Sequence, residues 1–261
     1  MTALILLPVV LLIVVKGDTP IFAGMVALFS AVGMIEYYRM ALPGRTLEGW
    51  LAAVCSAALV CTPLCNHDPR ASMTAIGLLF LVFALLFLFR ISDIADAARE
   101  VSYALLAFLY IPFLLMHLVM LRSTAYGWQW LVVIMLIVMT NDSAAYYTGS
   151  AFGKRRLYPL VSPKKSVEGS IGGLLGSIAG TMIARYTFFP QLSATDALVT
   201  ALVIGALGQA GDLFESMLKR SFGVKDSGTI FPGHGGVLDR LDSIIFAAPA
   251  VYYYVMYIFR G

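Results

Sequence analysis

Three aspartates, Asp212, Asp239 and Asp242, stand in or at the edge of apolar runs in the second half of a 261-residue chain. An ionised carboxylate inside a membrane-length apolar run is costly without compensation. Asp239 and Asp242 are three apart, so on a helix they project from one face. Asp212 follows Gly211 near the middle of the preceding apolar run. Carboxylates from two adjacent helices can converge on a hard cation, and magnesium is the natural candidate because it takes oxygen ligands and is usually shared with substrate phosphates. Interfacial salt bridges to Lys219, Arg220 and Arg240 are the alternative. The place of Asp212 within a run favours the metal.

Residues suited to an anion surround these carboxylates. The stretch PGHGG at 232–236 packs three glycines around His234. Glycine lets the backbone approach a ligand closely, and successive free N–H groups make an anion-binding concavity. Gly235 and Gly236 are therefore candidates for phosphate contact. A plain re-entrant turn would use the same residues, and His234 could contact a phosphate, orient a carboxylate or close the loop. Upstream, in SPKKSVEG at 162–169, Ser162 and Pro163 read as a helix N-cap and first helical residue. Lys164 and Lys165, with Ser166 beside them, then fall in a first turn where the dipole disfavours cations unless an anion is bound. The other reading of the lysines is a topological anchor. Asn141 and Asp142, inside or at the end of an apolar run, either serve a functional site or bond to a neighbouring helix.

Other polar residues read more plainly. Glu36 and Arg39 look like an i,i+3 interfacial pair, Glu215 and Lys219 like an i,i+4 pair, and Asp93, Asp96, Arg99 and Glu100 like a solvated loop. Gly172, Gly176 and Gly180 form a small-residue stripe for close helix packing. Cys55, Cys61 and Cys65 read as small buried side chains, and His67 and His117 have no evident partners.

The elements that must position these residues follow from composition. The chain is 60% hydrophobic and 13% charged, with a mean hydropathy of +0.85. Soluble chains run at roughly half apolar and a quarter charged. A net charge of +3 is too small to indicate nucleic-acid binding. A span needs about 20 apolar residues, and the runs predict an all-α polytopic membrane protein of about nine transmembrane helices. These fall near 3–15, 20–40, 47–64, 72–89, 101–121, 128–147, 169–189, 196–217 and 241–259, the first read as a span rather than a signal peptide. Residues 1–126 have plain loops and read as scaffold, with lipid or dimer contacts. Residues 127–261 carry the three polar segments and read as the catalytic region. With nine spans, 13 of the 18 Lys and Arg fall on one side of the membrane. The positive-inside rule makes that side, which holds all three polar segments, cytoplasmic.

The segment SMLKRSFGVKDSGTIFPGHGGVLDRLD, 216–242, resembles the signature of phosphatidate cytidylyltransferases, also called CDP-diacylglycerol synthases. It has the Ser, Lys-Arg, Lys-Asp, Pro-x-His-Gly-Gly and Asp-Arg-x-Asp elements in order. SPKKSVEG and NDSAAYYTG (141–149) are similar to the family's upstream segments. The resemblance implies transfer of CMP from CTP to phosphatidic acid, giving CDP-diacylglycerol and pyrophosphate. It implies magnesium at Asp212, Asp239 and Asp242, with potassium the candidate for a second cation. It also implies phosphate contacts from Lys164, Lys165, Lys219, Arg220, Lys225 and Arg240, a homodimer, and residence in the bacterial inner membrane with the site facing the cytoplasm. The Asp-Gly-x-x-Ala-Arg run of CDP-alcohol phosphotransferases is absent from the sequence. A transporter using Asp142 and Asp212 as an ion path is the reading from a different class.

Overall fold

Apolar side chains in long runs leave the backbone no solvent partner, so each segment satisfies its own hydrogen bonds as a helix. The computed structural model describes residues 2–65, 69–90, 93–231 and 235–261. Its helices are α1 (Thr2–Lys16), α2 (Thr19–Ala41), α3 (Thr46–Cys65), α4 (Pro69–Arg90), α5 (Ile94–Tyr110), α6 (Pro112–Arg122), α7 (Gly127–Phe152), α8 (Val167–Thr187), α9 (Ala194–Ser221) and α10 (Leu238–Tyr257). Pro112 separates α5 from α6, but Ile111 still donates to Ala107 and accepts from Leu115. The pair forms one rod across 94–122, which makes nine rods among the described residues. Seven are long and apolar enough to cross a membrane. Of the others, α1 has 15 residues and α10 carries Asp239, Arg240 and Asp242 in its first turns. The protein is an all-α polytopic membrane protein.

The expected boundaries shift at the polar segments. Helix α5 begins at Ile94, with Asp93 accepting from Ala95 N as its cap, so the residues read as a solvated loop form a helix start. Glu100 there holds Arg45 at 2.7 Å. The helix predicted to begin at Ser162 and Pro163 is instead a two-stranded antiparallel hairpin, β1 (Arg156–Tyr158) and β2 (Ser162–Ser166). Helix α8 starts after it, capped by Ser166, whose side chain accepts from Gly169 N at 3.1 Å. Lys164 and Lys165 are therefore strand residues, and no helix dipole opposes them.

Close packing of α7, α8 and α9 builds the frame of the second half. The glycine stripe of α8 lies against α7: a β-carbon at Gly180 would come within 2.6 Å of Thr140 Oγ1, and one at Gly172 would meet Thr148. Asn141 supplies polar glue. Its amide donates to Ser177 Oγ at 2.8 Å and its oxygen accepts from Gln209 Nε2 at 3.0 Å. Helix α10 lies against α9, α6 and α2. Trp130, Phe189, Phe259 and Tyr126 cluster at the opposite end of the bundle from the hairpin. The three cysteines are free.

Candidate active site

After α9 the chain turns back so that Ser227, Gly236 and Val237 are buried, while Lys225, Asp226 and Thr229 stay exposed. Leu238, the first residue of α10, packs on Gly33 of α2, eight residues before that helix ends at Ala41, or about 12 Å along its axis. Helix α10 therefore begins at depth, with Asp239 beside Lys219 in the last turn of α9 and Asp242 beside Gly211. A β-carbon on Gly211 would overlap the carbonyl oxygen of Asp242. The bare glycine is what lets the two helices meet there and sets Asp242 beside Asp212.

Lys219 organises the charges nearest the loop. Its Nζ lies 2.6 Å from Glu215 Oε2 and 2.6 Å from Asp239 Oδ1, so the i,i+4 pair read from the sequence exists and extends to a third group. All three side chains are at most 10% exposed. The other oxygen of Asp239, Oδ2, accepts from Ser227 N (2.9 Å), Ser227 Oγ (2.9 Å) and Gly236 N (2.7 Å). Gly236 thus gives its N–H to Asp239. Gly235 has φ +79, the left-handed conformation that glycine adopts without a steric penalty, and its carbonyl accepts from Phe231 N.

The folded-back segment bounds a cavity of ≈ 510 Å³, within the usual range for small-molecule sites. Lys219, Lys225, Asp239, Arg240 and Asp242 line it with Asp226, Gly228, Thr229, Phe231 and Gly235. Asp242 lies in the field of Asp212, Glu215 and Asp142, and Asp142 in that of Asp212, Lys165 and Arg240. Lys165 reaches from the hairpin to form an ion pair with Asp212. Asp142 also neighbours Gly205, Gly208 and Ser243 of α9 and α10. Four elements thus meet here: α7, the hairpin, α9 and α10.

Other expected contacts lie elsewhere. Asn141 is buried and its amide is spent on α8 and α9, the interhelical alternative of its two readings. Ser166 is buried as a cap. Lys164 is exposed on the hairpin. Arg220 is exposed and donates to Val224 O at 3.3 Å. His234, with Pro232 and Gly233, lies outside the described residues, as does His67. His117 has partners after all: Nδ1 sits 2.9 Å from Phe113 O and Nε2 3.4 Å from the Tyr253 hydroxyl. Glu36 is the residue that the sequence misled on. Instead of pairing at an interface with Arg39, it is 2% exposed and accepts from Val237 N, Leu238 N and Ser227 Oγ.

A cavity of this size, with cations and carboxylates on one wall inside a helical membrane bundle, is suited to a polyphosphate. The sequence profile described as "Cytidylyltransferase family" matches residues 1–258. The chain belongs to the cytidylyltransferase family. It is thereby a nucleotidyltransferase that uses CTP. It is 32% identical over 251 residues to a phosphatidate cytidylyltransferase of Staphylococcus haemolyticus, covering 95% of each chain. A protein of the same name from Staphylococcus aureus is 34% identical over 260 residues, again with 95% of each chain covered. One from Bacillus subtilis is 38% identical over 155 residues, 59% of this chain and 58% of that relative.

The donor set of this cytidylyltransferase-family site fits a hard cation. Asp142, Asp212, Glu215, Asp239 and Asp242 interact with one another and with Lys165, Lys219 and Arg240, so carboxylates outnumber cations. Two buried oxygens beside them, Glu215 Oε1 and the Tyr110 hydroxyl, have no hydrogen-bond partner among the described residues. No three His, Cys, Asp or Glu among the described residues form a ready-made cage. Magnesium does not need one, because it is usually held by one or two carboxylates plus substrate phosphates. Asp212, with one oxygen on Lys165, and Asp242, with one on Ser243 N, are the carboxylates that could hold it with their second oxygens. Asp239 has its oxygens on Lys219 and the loop, and would join by sharing Oδ1.

Proposed function

We propose that the chain transfers the cytidylyl group of CTP to phosphatidate, releasing pyrophosphate and forming CDP-diacylglycerol. The observation that carries this reading is the cavity in which Lys219, Lys225 and Arg240 stand beside Asp239 and Asp242, inside a bundle whose other surfaces suit lipid. The names of the relatives, phosphatidate cytidylyltransferases, support phosphatidate as the acceptor. An oxygen of the lipid phosphate attacks the α-phosphorus of CTP. The bond from that phosphorus to the oxygen bridging the β-phosphate breaks, and pyrophosphate leaves with the electron pair. A phosphate monoester is already anionic near neutral pH, so no general base has to remove a proton. Catalysis then rests on positioning and charge neutralisation. Lys225 and Arg240 face the polyphosphate, Lys219 fixes Asp239 against the loop, and Lys165 holds Asp212.

Magnesium, when bound at Asp212 and Asp242 with Asp239 alongside, would supply charge neutralisation at the phosphates, and potassium is the candidate second ion. Residues 127–261 carry this chemistry and residues 1–126 the scaffold. The protein resides in the bacterial inner membrane with the cavity toward the cytoplasm, where CTP is found, and assembles as a homodimer. The bias of Lys and Arg toward the cavity side supports that orientation.

The test is an assay of purified protein in detergent with CTP and phosphatidate. A liponucleotide should form with magnesium, stop with a chelator and resume when magnesium is restored. Asp212→Asn and Asp242→Asn should each lose about a hundredfold or more of the rate while remaining folded. Robust turnover in both variants would remove the metal assignment. No product with CTP, or with other nucleotides in its place, would remove the reading.

A further inference from the structure

Glu36 lies on α2, in the half of the chain without catalytic motifs, yet it reaches the segment that closes the cavity. Its Oε1 accepts from Val237 N at 2.9 Å, and its Oε2 accepts from Leu238 N at 3.0 Å and Ser227 Oγ at 3.1 Å. Helix α10 has no side-chain cap of its own, since Val237 stands at the N-cap. The first amides of a helix need acceptors, and its positive end favours a negative charge. Glu36 supplies both from another helix. Two glycines follow from this contact: a β-carbon at Gly228 would lie within 2.9 Å of the Glu36 carboxyl carbon, and one at Gly236 would overlap both carboxylate oxygens. Gly228 faces the cavity on its other side, with Gly235, Asp239, Arg240 and Asp242. The Ser227 hydroxyl lies between the Glu36 and Asp239 carboxylates.

We infer that Glu36 is a positioning residue for cytidylyl transfer, pinning Ser227, Val237 and the start of α10 so that Asp239, Arg240 and Asp242 face the nucleotide. This rests on the CTP reading above. Glu36 touches no reacting atom and acts through the backbone it holds. Its carboxylate is buried, and its partners among the described residues are the N–H groups of Val237 and Leu238 and the Ser227 hydroxyl, so the neutral isostere Gln would lose the charge and turn an NH₂ toward a donor.

The experiment compares Glu36→Gln, Glu36→Asp, Ser227→Ala and Glu48→Gln in detergent. Glu48 is equally buried and pairs with Arg45 and Arg90 away from the cavity. It reports what loss of a merely structural carboxylate does. Rates are measured against CTP and phosphatidate separately, and amide hydrogen exchange is followed across 224–240. In Glu36→Gln, kcat/KM for CTP should fall at least about tenfold, while KM for phosphatidate stays within about twofold. Glu36→Asp should recover part of the loss. Ser227→Ala should lower kcat/KM for CTP in the same direction and be non-additive with Glu36→Gln. The amides of Val237 and Leu238 should exchange faster in Glu36→Gln, by more than amides elsewhere in the bundle, and Glu48→Gln should leave that local exchange and KM for CTP alone. Unchanged exchange at 237 and 238 would overturn the inference, as would a CTP dependence no different from that of Glu48→Gln. A native protein that forms no liponucleotide would instead overturn the functional reading, and the exchange result would still stand or fall by itself.

Discussion

Lys219 is the buried cation of the cleft, held between Glu215 and Asp239 at 2.6 Å each. Removing one member of a buried charge cluster leaves the rest uncompensated, typically at about 3–5 kcal/mol. Lys219→Met should therefore lower the thermal midpoint in detergent and abolish turnover, whereas Arg220→Met, at an exposed position, should leave the midpoint unchanged. Half of this cluster was legible in the sequence. Glu215 and Lys219 are one helical turn apart, and spacing alone pairs them. The link to Asp239 was not, because it depends on α10 starting beside the last turn of α9. Glu36 was hidden for a related reason: Arg39 three residues on offers an obvious local partner, while the true partners at 227, 237 and 238 are distant in the chain. The carboxylates of the Asp-Arg-x-Asp motif and Asp212 stood out because charge inside an apolar run is conspicuous at any register.

Two elements aim the site, the hairpin and the α9–α10 crossing. The hairpin carries Lys165 to Asp212. Lys165→Met should reduce kcat/KM for CTP by about tenfold or more, as expected for loss of a charged hydrogen-bonded contact, which steady-state kinetics can measure. The sequence concealed this element because Ser162 and Pro163 have the residue types of a helix start, and the real cap, Ser166, comes four residues later. Short strands such as RLY and SPKKS also lack the apolar alternation that marks a half-buried strand. The α9–α10 crossing depends on Gly211. In Gly211→Ala the methyl group meets the Asp242 carbonyl, so α10 must shift. Activity should fall more than tenfold, about the scale of a misplaced catalytic group, and the helix content by circular dichroism should be retained. Preserved activity in that variant would mean that the two aspartates need no such close approach.

At the scale of the molecule, long apolar runs specified an all-α membrane bundle almost without reference to detail, because a lipid-facing backbone has few alternatives. What they could not convey was which groups meet: the glycines between α9 and α10 allowed an anion cradle or a re-entrant turn, and neither reading brings Glu36 of α2 to Val237 and Leu238. The orientation can be checked with single cysteines placed in a chain whose Cys55, Cys61 and Cys65 have been replaced. A cysteine at Lys164 should react with an impermeant thiol reagent only from the cytoplasmic side, and one at Gln191 only from the opposite side. Labelling with the sides exchanged would invert the topology. The central claim, that a cytidylyl group passes to a lipid phosphate in a site built from α7, the hairpin, α9 and α10, is tested most directly by the fate of the phosphates of CTP. Purified protein is given phosphatidate, magnesium and CTP labelled either at the α- or at the γ-phosphorus. The α-label should enter the lipid fraction as CDP-diacylglycerol and the γ-label should appear only in pyrophosphate; γ-label in the lipid, or α-label remaining wholly in water-soluble nucleotide, would contradict the account.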